Sequence, residues 1–320
     1  MERSSLVPDR VLGRTGLRVT PIGLGGGYLG WDGQALSEDV GVATVLKALE
    51  MGVRLIDTSP VYCNGHSERY IGIGIREWVR RGGRREDLVI STKTGTRRSM
   101  YRDYSAGATR RSVEESLALL GVDAVDVLLI HDPDNLDPVL APGAAFDTLK
   151  QMKAEGLARA IGLGVRYHHF HRRLIEAGGV DVSLTYGDYT LLSRSAADDL
   201  LPLAQSRGVG VFNGMIMEVG LLTGQDPRQA AARNGKHPYD PAKVERAAAL
   251  HAWASERGLS TLTLNLQFSV RKPWVAATLV GASRPEEIEA DVRAYLQPVP
   301  ESAWDDIERL TGFSAPNPAG

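Results

Sequence analysis

Two hydrophobic periods alternate along the chain. Short apolar runs give way, across a glycine or a polar turn, to longer segments whose apolar residues recur three and four apart, the spacing of one buried helix face. Residues 37–51 show it clearly: Val40, Val42, Val45, Leu46 and Leu49 share the helical spacing, with Ser37 placed to cap and Gly52 to stop. Strands are expected over 54–57, 88–93, 126–131, 158–164, 182–186, 209–212 and 276–280, and an opening strand runs from Pro21 into glycine-rich residues 23–27. Further helices are expected over 67–78, 108–120, 146–154, 170–177, 196–205, 242–256, 261–269, 285–295 and 301–310. Pro285 suits the first turn of its helix. Residues 11–20 alternate around Gly13 and Gly16 as a hairpin does. Residues 213–241 read as a long loop, and the Pro- and Gly-rich end from about 315 as a flexible tail.

Eight strands feeding helices, with no shift in composition to mark a boundary, predict one α/β domain over 1–320. Its form is a (β/α)8 barrel with an N-terminal hairpin and extra C-terminal helices. A two-domain dinucleotide fold would need a G-x-G-x-x-G turn opening promptly into a helix, and residues 23–27 do not lead into one.

Composition narrows the class. Hydrophobic residues make up 43% and the net charge is −2, so no composition-level signal asks for nucleic acid. The arginine pairs 80–81, 84–85, 97–98 and 110–111 read as solvated faces or anion-side loops. Cys63 is the one cysteine, which excludes an internal disulfide and offers no zinc spacing, and a reducing compartment follows. No apolar run reaches the roughly 18 residues of a membrane span. The first ten residues lack the apolar core of a secretion signal, and a cytoplasmic location is expected. Monomer and homo-oligomer both stay open.

The chemistry lies at the strand ends. Asp57 closes one apolar run and Tyr62 sits in the loop after it, while Lys93 and His131 close the next two. Each alone has a bland reading, as a cap, a rim lysine or a core histidine. Four on successive strands would converge on one barrel mouth. A lysine cation lowers the pKa of a neighbouring tyrosine, and a carboxylate makes the buried lysine tolerable. A neutral histidine can direct a substrate oxygen, leaving Tyr62 to give or take a proton. With no metal set and no activated serine, hydride transfer is the most economical partner event.

These residues resemble the aldo-keto reductase superfamily. The matching pieces are Leu55-Ile56-Asp57-Thr58-Ser59, Tyr62 with Gly65-His66-Ser67-Glu68, Ser91-Thr92-Lys93, Leu129-Ile130-His131, Gly220-Leu221-Leu222-Thr223-Gly224 and Gly281-Ala282-Ser283-Arg284-Pro285. The resemblance implies a nicotinamide cofactor, NAD or NADP, and a catalytic tetrad of Asp57, Tyr62, Lys93 and His131. Ile130-His131-Asp132-Pro133-Asp134 is similar to the aldose 1-dehydrogenase branch, whose members act on D-threo-aldoses, L-fucose and L-galactose, with pyridoxal 4-dehydrogenase alongside. That implies oxidation of an anomeric hydroxyl to a lactone with Tyr62 as base. Reduction of an aldehyde or ketone with NADPH, Tyr62 acting as acid, is the alternative.

The chain departs from the family where the nicotinamide is held. Val165-Arg166 stands for Ser-Asn, Tyr186 for Gln, and Asn213-Gly214-Met215 where an aromatic commonly stacks. Besides Asp57, cofactor contacts are therefore expected from Gly25, Tyr186, Met215, Gly281, Ser283, Arg284, Glu287 and Asp291. Glu287 stands where NADP-specific members carry Arg, which favours NAD. Asp291 stands in place of Asn near the adenine. Trp31, Tyr101, Asp132 and Met217 are candidates to line the substrate mouth.

Overall fold

The computed structural model describes residues 7–30, 37–233 and 239–311. A two-stranded hairpin pairs β1 (Arg10–Val11) with β2 (Arg18–Val19). Eight parallel strands then close a barrel: β3 (Ile22–Gly25), β4 (Leu55–Asp57), β5 (Val89–Thr94), β6 (Val125–His131), β7 (Ala158–Gly164), β8 (Val182–Tyr186), β9 (Gly210–Gly214) and β10 (Ala277–Gly281), with β10 pairing back onto β3. The expected (β/α)8 barrel and its hairpin are both present.

The strands alternate between two apolar layers. Leu55, Val89, Val127, Leu129, Val182, Phe212 and Leu279 fill the barrel, whereas Ile56, Ile90, Leu128, Ile130, Val211 and Val280 pack outward against the helices. The barrel strands are thus largely buried on both faces, and apolar residues can occupy successive positions, as in Val127-Leu128-Leu129-Ile130. The hairpin plugs the closed end, because Leu12, Leu17 and Val19 belong to the interior layer. At Gly13 (φ +51°) a Cβ would lie 2.3 Å from the Gly210 nitrogen, so only glycine permits that seating.

Helix starts follow their caps. Ser37 accepts from the Val40 N–H, Ser105 from Ala108 and Ser260 from Leu262. Ser105 moves the third helix start to Ala106, two residues before its apolar period begins.

Among the described residues of 213–241, strand and helix replace part of the expected loop. Strand β9 runs on through Asn213 and Gly214, which pair with Thr185 and Tyr186. A helix follows at Pro227–Arg233, where Asp226 accepts from the Arg228 N–H and Pro227 opens the first turn. A short helix at Asp137–Leu140 was likewise unforeseen, its turn held by Asn135 Oδ1 on the Asp137 N–H. The expected tail and Trp31 lie outside the described residues. Among the described residues, no helix is long and apolar enough to cross a membrane.

Candidate active site

The barrel's register gathers the polar residues. Gly25 on β3 pairs with Asp57 on β4, Asp57 with Ser91 on β5, and Lys93 with Leu129 on β6. Lys93 is fully buried and donates from Nζ to Asp57 Oδ2 at 2.5 Å and to the Thr58 carbonyl at 2.8 Å. Ser91 Oγ donates to the other carboxylate oxygen at 2.7 Å, so neither oxygen of this buried aspartate is left over.

Tyr62 lies above that pair. Its ring centroid is 4.6 Å from Lys93 Nζ and 5.5 Å from the His131 ring, which it meets edge-on. The turn carrying it is unusual: Cys63 (φ 51°) and Asn64 (φ 56°) both adopt the left-handed conformation, and Gly65 follows at φ 91°. Cys63 fills a position where glycine would be easier, and its Sγ donates to the Gly26 carbonyl at 3.3 Å. Burial pushes that thiol up to about 11, which leaves it a poor nucleophile.

His131 Nδ1 lies 2.8 Å from both Ser59 Oγ and Thr96 Oγ1. Two hydroxyl partners on Nδ1 leave Nε2 to face the mouth. Burial, then the Lys93 charge, holds His131 well below its ordinary pKa, so the ring is neutral at physiological pH. Tyr62 is pushed above its ordinary value, first by burial; the Lys93 cation opposes this, and the Asp57 and Asp132 charges add to it. For Lys93 burial alone would lower the pKa, but Asp57 and then Tyr62 reverse it, and the amine stays charged.

At the strand ends, glycines admit close approach by neighbouring groups. Four barrel strands, β3, β7, β9 and β10, end in glycine, and Gly25 sits directly beside Gly281. A Cβ on Gly281 would lie 2.8 Å from the Tyr28 ring, and one on Gly214 would lie 3.2 Å from Tyr186 Cβ. These glycines let Tyr28 and Tyr186 pack closely against the strand ends, between Asp57 on one side and the start of the Pro285–Leu296 helix on the other, whose N–H groups suit a dinucleotide's phosphate. At that helix Glu287 accepts from the Ser283 N–H (2.7 Å) and Oγ (2.9 Å), while Arg284 and Glu287 both stand exposed. Asp291, one turn further on, is buried and pushed up to about 7, first by burial and then by Glu287.

The remaining candidates separate. Asp132 and Tyr186 meet at the mouth, where the Tyr186 hydroxyl donates to Asp132 Oδ1 at 2.9 Å. Tyr101 and Met215 stand exposed on the rim, 57% and 52% accessible. Met217 packs instead against the outer strand–helix layer. Among the described residues no group of His, Cys, Asp and Glu could hold a metal.

Ser59, Ser91 and Thr96 were not singled out by sequence as partners of the ionisable set. A signal existed for two of them. Ser91 stands two residues before Lys93, and Ser59 two residues after Asp57. Thr96 had none, since it lies beyond the strand in a loop.

The Aldo/keto reductase family matches residues 21–311. The chain is 34% identical to an L-galactose dehydrogenase of Arabidopsis thaliana over 96% of its own length and 93% of that protein. It is 27% identical to a D-threo-aldose 1-dehydrogenase of a Pseudomonas species, over 91% and 94% respectively. Among solved structures, an aldo-keto reductase from Bacillus halodurans in its holo form superposes with a TM-score of 0.76 at 22% identity, covering 95% of this chain and 96% of that one. That likeness concerns the fold.

Proposed function

The chain belongs to the aldo/keto reductase family of nicotinamide-using oxidoreductases, and on that premise we propose that it oxidises the anomeric hydroxyl of an aldose-like substrate to a lactone. The observation that carries this reading is the fully buried Lys93, fixed between Asp57 and the Thr58 carbonyl directly beneath Tyr62. A cation held there favours tyrosinate over tyrosine and equips Tyr62 to take the hydroxyl proton. His131 is neutral, with Nδ1 anchored on Ser59 and Thr96, so Nε2 can donate to the substrate oxygen and set its direction. Asp57 keeps the lysine charged and in place. The names of the two relatives, both aldose dehydrogenases, support the substrate class.

A bound nicotinamide would supply the hydride acceptor. Gly25 and Gly281, paired on neighbouring strands, are the backbone positions proposed beside it, and Tyr186 and Met215 are the side chains proposed to pack near its ring. Ser283 and Arg284 stand at the helix start, where backbone N–H groups favour phosphate. The exposed Glu287 carboxylate would repel a 2′-phosphate and can accept from a free ribose hydroxyl, so NAD is the proposed cofactor. A cytoplasmic location belongs to the same reading and rests on the lone cysteine.

One observation favours the reverse reaction. Tyr62 is pushed above its ordinary pKa, which keeps the phenol protonated near neutrality and suits proton donation to a carbonyl. Initial rates with NAD and L-galactose, L-fucose or D-arabinose, set against NADPH with simple aldehydes, separate the two. Faster turnover of the aldehydes with NADPH would overturn the dehydrogenase reading.

A further inference from the structure

We propose that Asp132 and Tyr186 form a second polar wall of the mouth that binds the hydroxyl on the carbon next to the reacting one, selecting α-hydroxy substrates. The inference deepens the aldose reading above and rests on it for the class of substrate. It starts from a residue that the proton-transfer set does not use. Asp132 follows His131 directly, yet its backbone turns to φ 42°, a left-handed conformation that breaks the strand and redirects its side chain. The Asp132 N–H is satisfied by the Gly164 carbonyl at 2.8 Å, so the turn is built into the barrel rim.

The carboxylate that results is only half engaged. Oδ1 accepts from the Tyr186 hydroxyl at 2.9 Å. Oδ2 stands 3.5 Å from His131 Nε2, too long for a strong hydrogen bond, and the side chain is 41% exposed. Nε2 is the nitrogen left facing the mouth, so the free carboxylate oxygen borders the place where the reacting oxygen would sit. Asp132 acts electrostatically on Tyr62, and Tyr62 on Tyr186, which puts the three groups in one neighbourhood.

A substrate oxygen held by Tyr62 and His131 would then bring its neighbouring carbon toward Asp132. A hydroxyl there can donate to Oδ2, a charge-assisted bond, while the Tyr186 oxygen retains a lone pair to accept from a further hydroxyl. A substrate without that hydroxyl leaves the carboxylate half-desolvated and unpaired, which is the situation that makes polar sites reject an analogue. Arg102, exposed and paired with Asp134 further along these loops, and Lys93 each favour the charged form of Asp132 at the mouth, against the burial that raises its pKa.

The test compares kcat/KM for an aldose and its 2-deoxy analogue, oxidised with NAD, in the wild type, Asp132→Asn and Tyr186→Phe. Asparagine tolerates the left-handed backbone, so Asp132→Asn keeps the turn. Loss of one charge-assisted bond is expected to cut the wild-type preference for the 2-hydroxy sugar by about tenfold to a hundredfold in Asp132→Asn, and by less in Tyr186→Phe. A preference unchanged in Asp132→Asn, with thermal stability and cofactor binding intact, overturns the proposal. If no aldose is oxidised, the aldose reading fails by itself. The wall is then tested by reducing 2-hydroxypropanal against propanal, where the same collapse of preference supports it and an unchanged ratio overturns it.

Discussion

Replacing Lys93 by Met leaves Asp57 buried with Ser91 as its one side-chain donor and removes the cation beneath Tyr62. The pair is almost wholly shielded, with side-chain exposures of 0% and 3%, so screening by solvent does not soften the loss. Breaking such a buried pair costs about 3–5 kcal/mol, most of it the stranded charge rather than the bond. For a chain of this size that is a fall in Tm of about 4–8 °C. Asp57→Asn strands the opposite charge, but a lysine can neutralise by losing its proton, so its cost should be smaller. The double variant Asp57→Asn/Lys93→Met strands neither charge and should recover much of the stability, giving a favourable coupling of at least about 2 kcal/mol. All three should lose turnover, because Tyr62 is left without its cation. Urea denaturation followed by circular dichroism supplies the cycle. If Lys93→Met costs under about 1 kcal/mol, or the double variant merely sums the singles, the pair is not the buried, mutually dependent unit described above.

Other perturbations probe separate parts of the site. Asp291 is pushed up to about 7 in the folded chain. A carboxyl with a raised folded pKa contributes most stability below its unfolded value of about 3.9 and loses it as pH rises to about 7, a cost on the order of 4 kcal/mol. Asp291→Asn should therefore raise Tm more at about pH 8 than at about pH 5, and an equal shift at both would refute that cause. Glu287→Arg should move the kcat/KM ratio toward NADP by about tenfold or more, the size of one relieved repulsion plus one charge-assisted bond; an unmoved ratio places the 2′ position elsewhere. Since Tyr62 titrates above its ordinary value and His131 well below its own, sugar oxidation should climb with pH as tyrosinate forms. No acid limb from His131 should appear between about pH 6 and 8. Asp132→Asn removes a charge that holds Tyr62 up and should shift this rise to lower pH, while a rise that stays put in the pH–rate profile would separate Asp132 from the tyrosine.

What sequence could reveal followed the physics of each signal. The barrel was legible because most β-runs are apolar on both faces and several helices carry a stop or cap, as at Ser37 and Gly52. Asp57, Lys93 and His131 stood out because an ionisable residue ending a buried run is costly without a purpose. Residues 213–241 misled because glycine and proline mark helix starts as readily as loops. Pro227 behind Asp226 is a helix start, and Gly214 pairs in β9. The partners of His131 were hidden for another reason. Ser59 and Thr96 are ordinary polar residues whose meeting depends on how two loops fold over the mouth. The left-handed turn at Asp132 leaves no sequence signature either, since aspartate is common in many conformations. Met217, a mouth candidate by position, turns toward the outer layer, because the loop carrying it is bent by left-handed residues at Met215, Glu218 and Val219.

In the proposed reaction, hydride leaves a sugar's anomeric carbon while Tyr62 takes the proton. Aldose deuterated at C1, incubated with NAD and the enzyme, tests it most directly by mass spectrometry of the recovered nucleotide. Deuterium is expected on the nicotinamide ring with the wild type and none with Tyr62→Phe that still binds NAD. Transfer undiminished in Tyr62→Phe, or a lactone formed with no deuterium on the nucleotide, would contradict it.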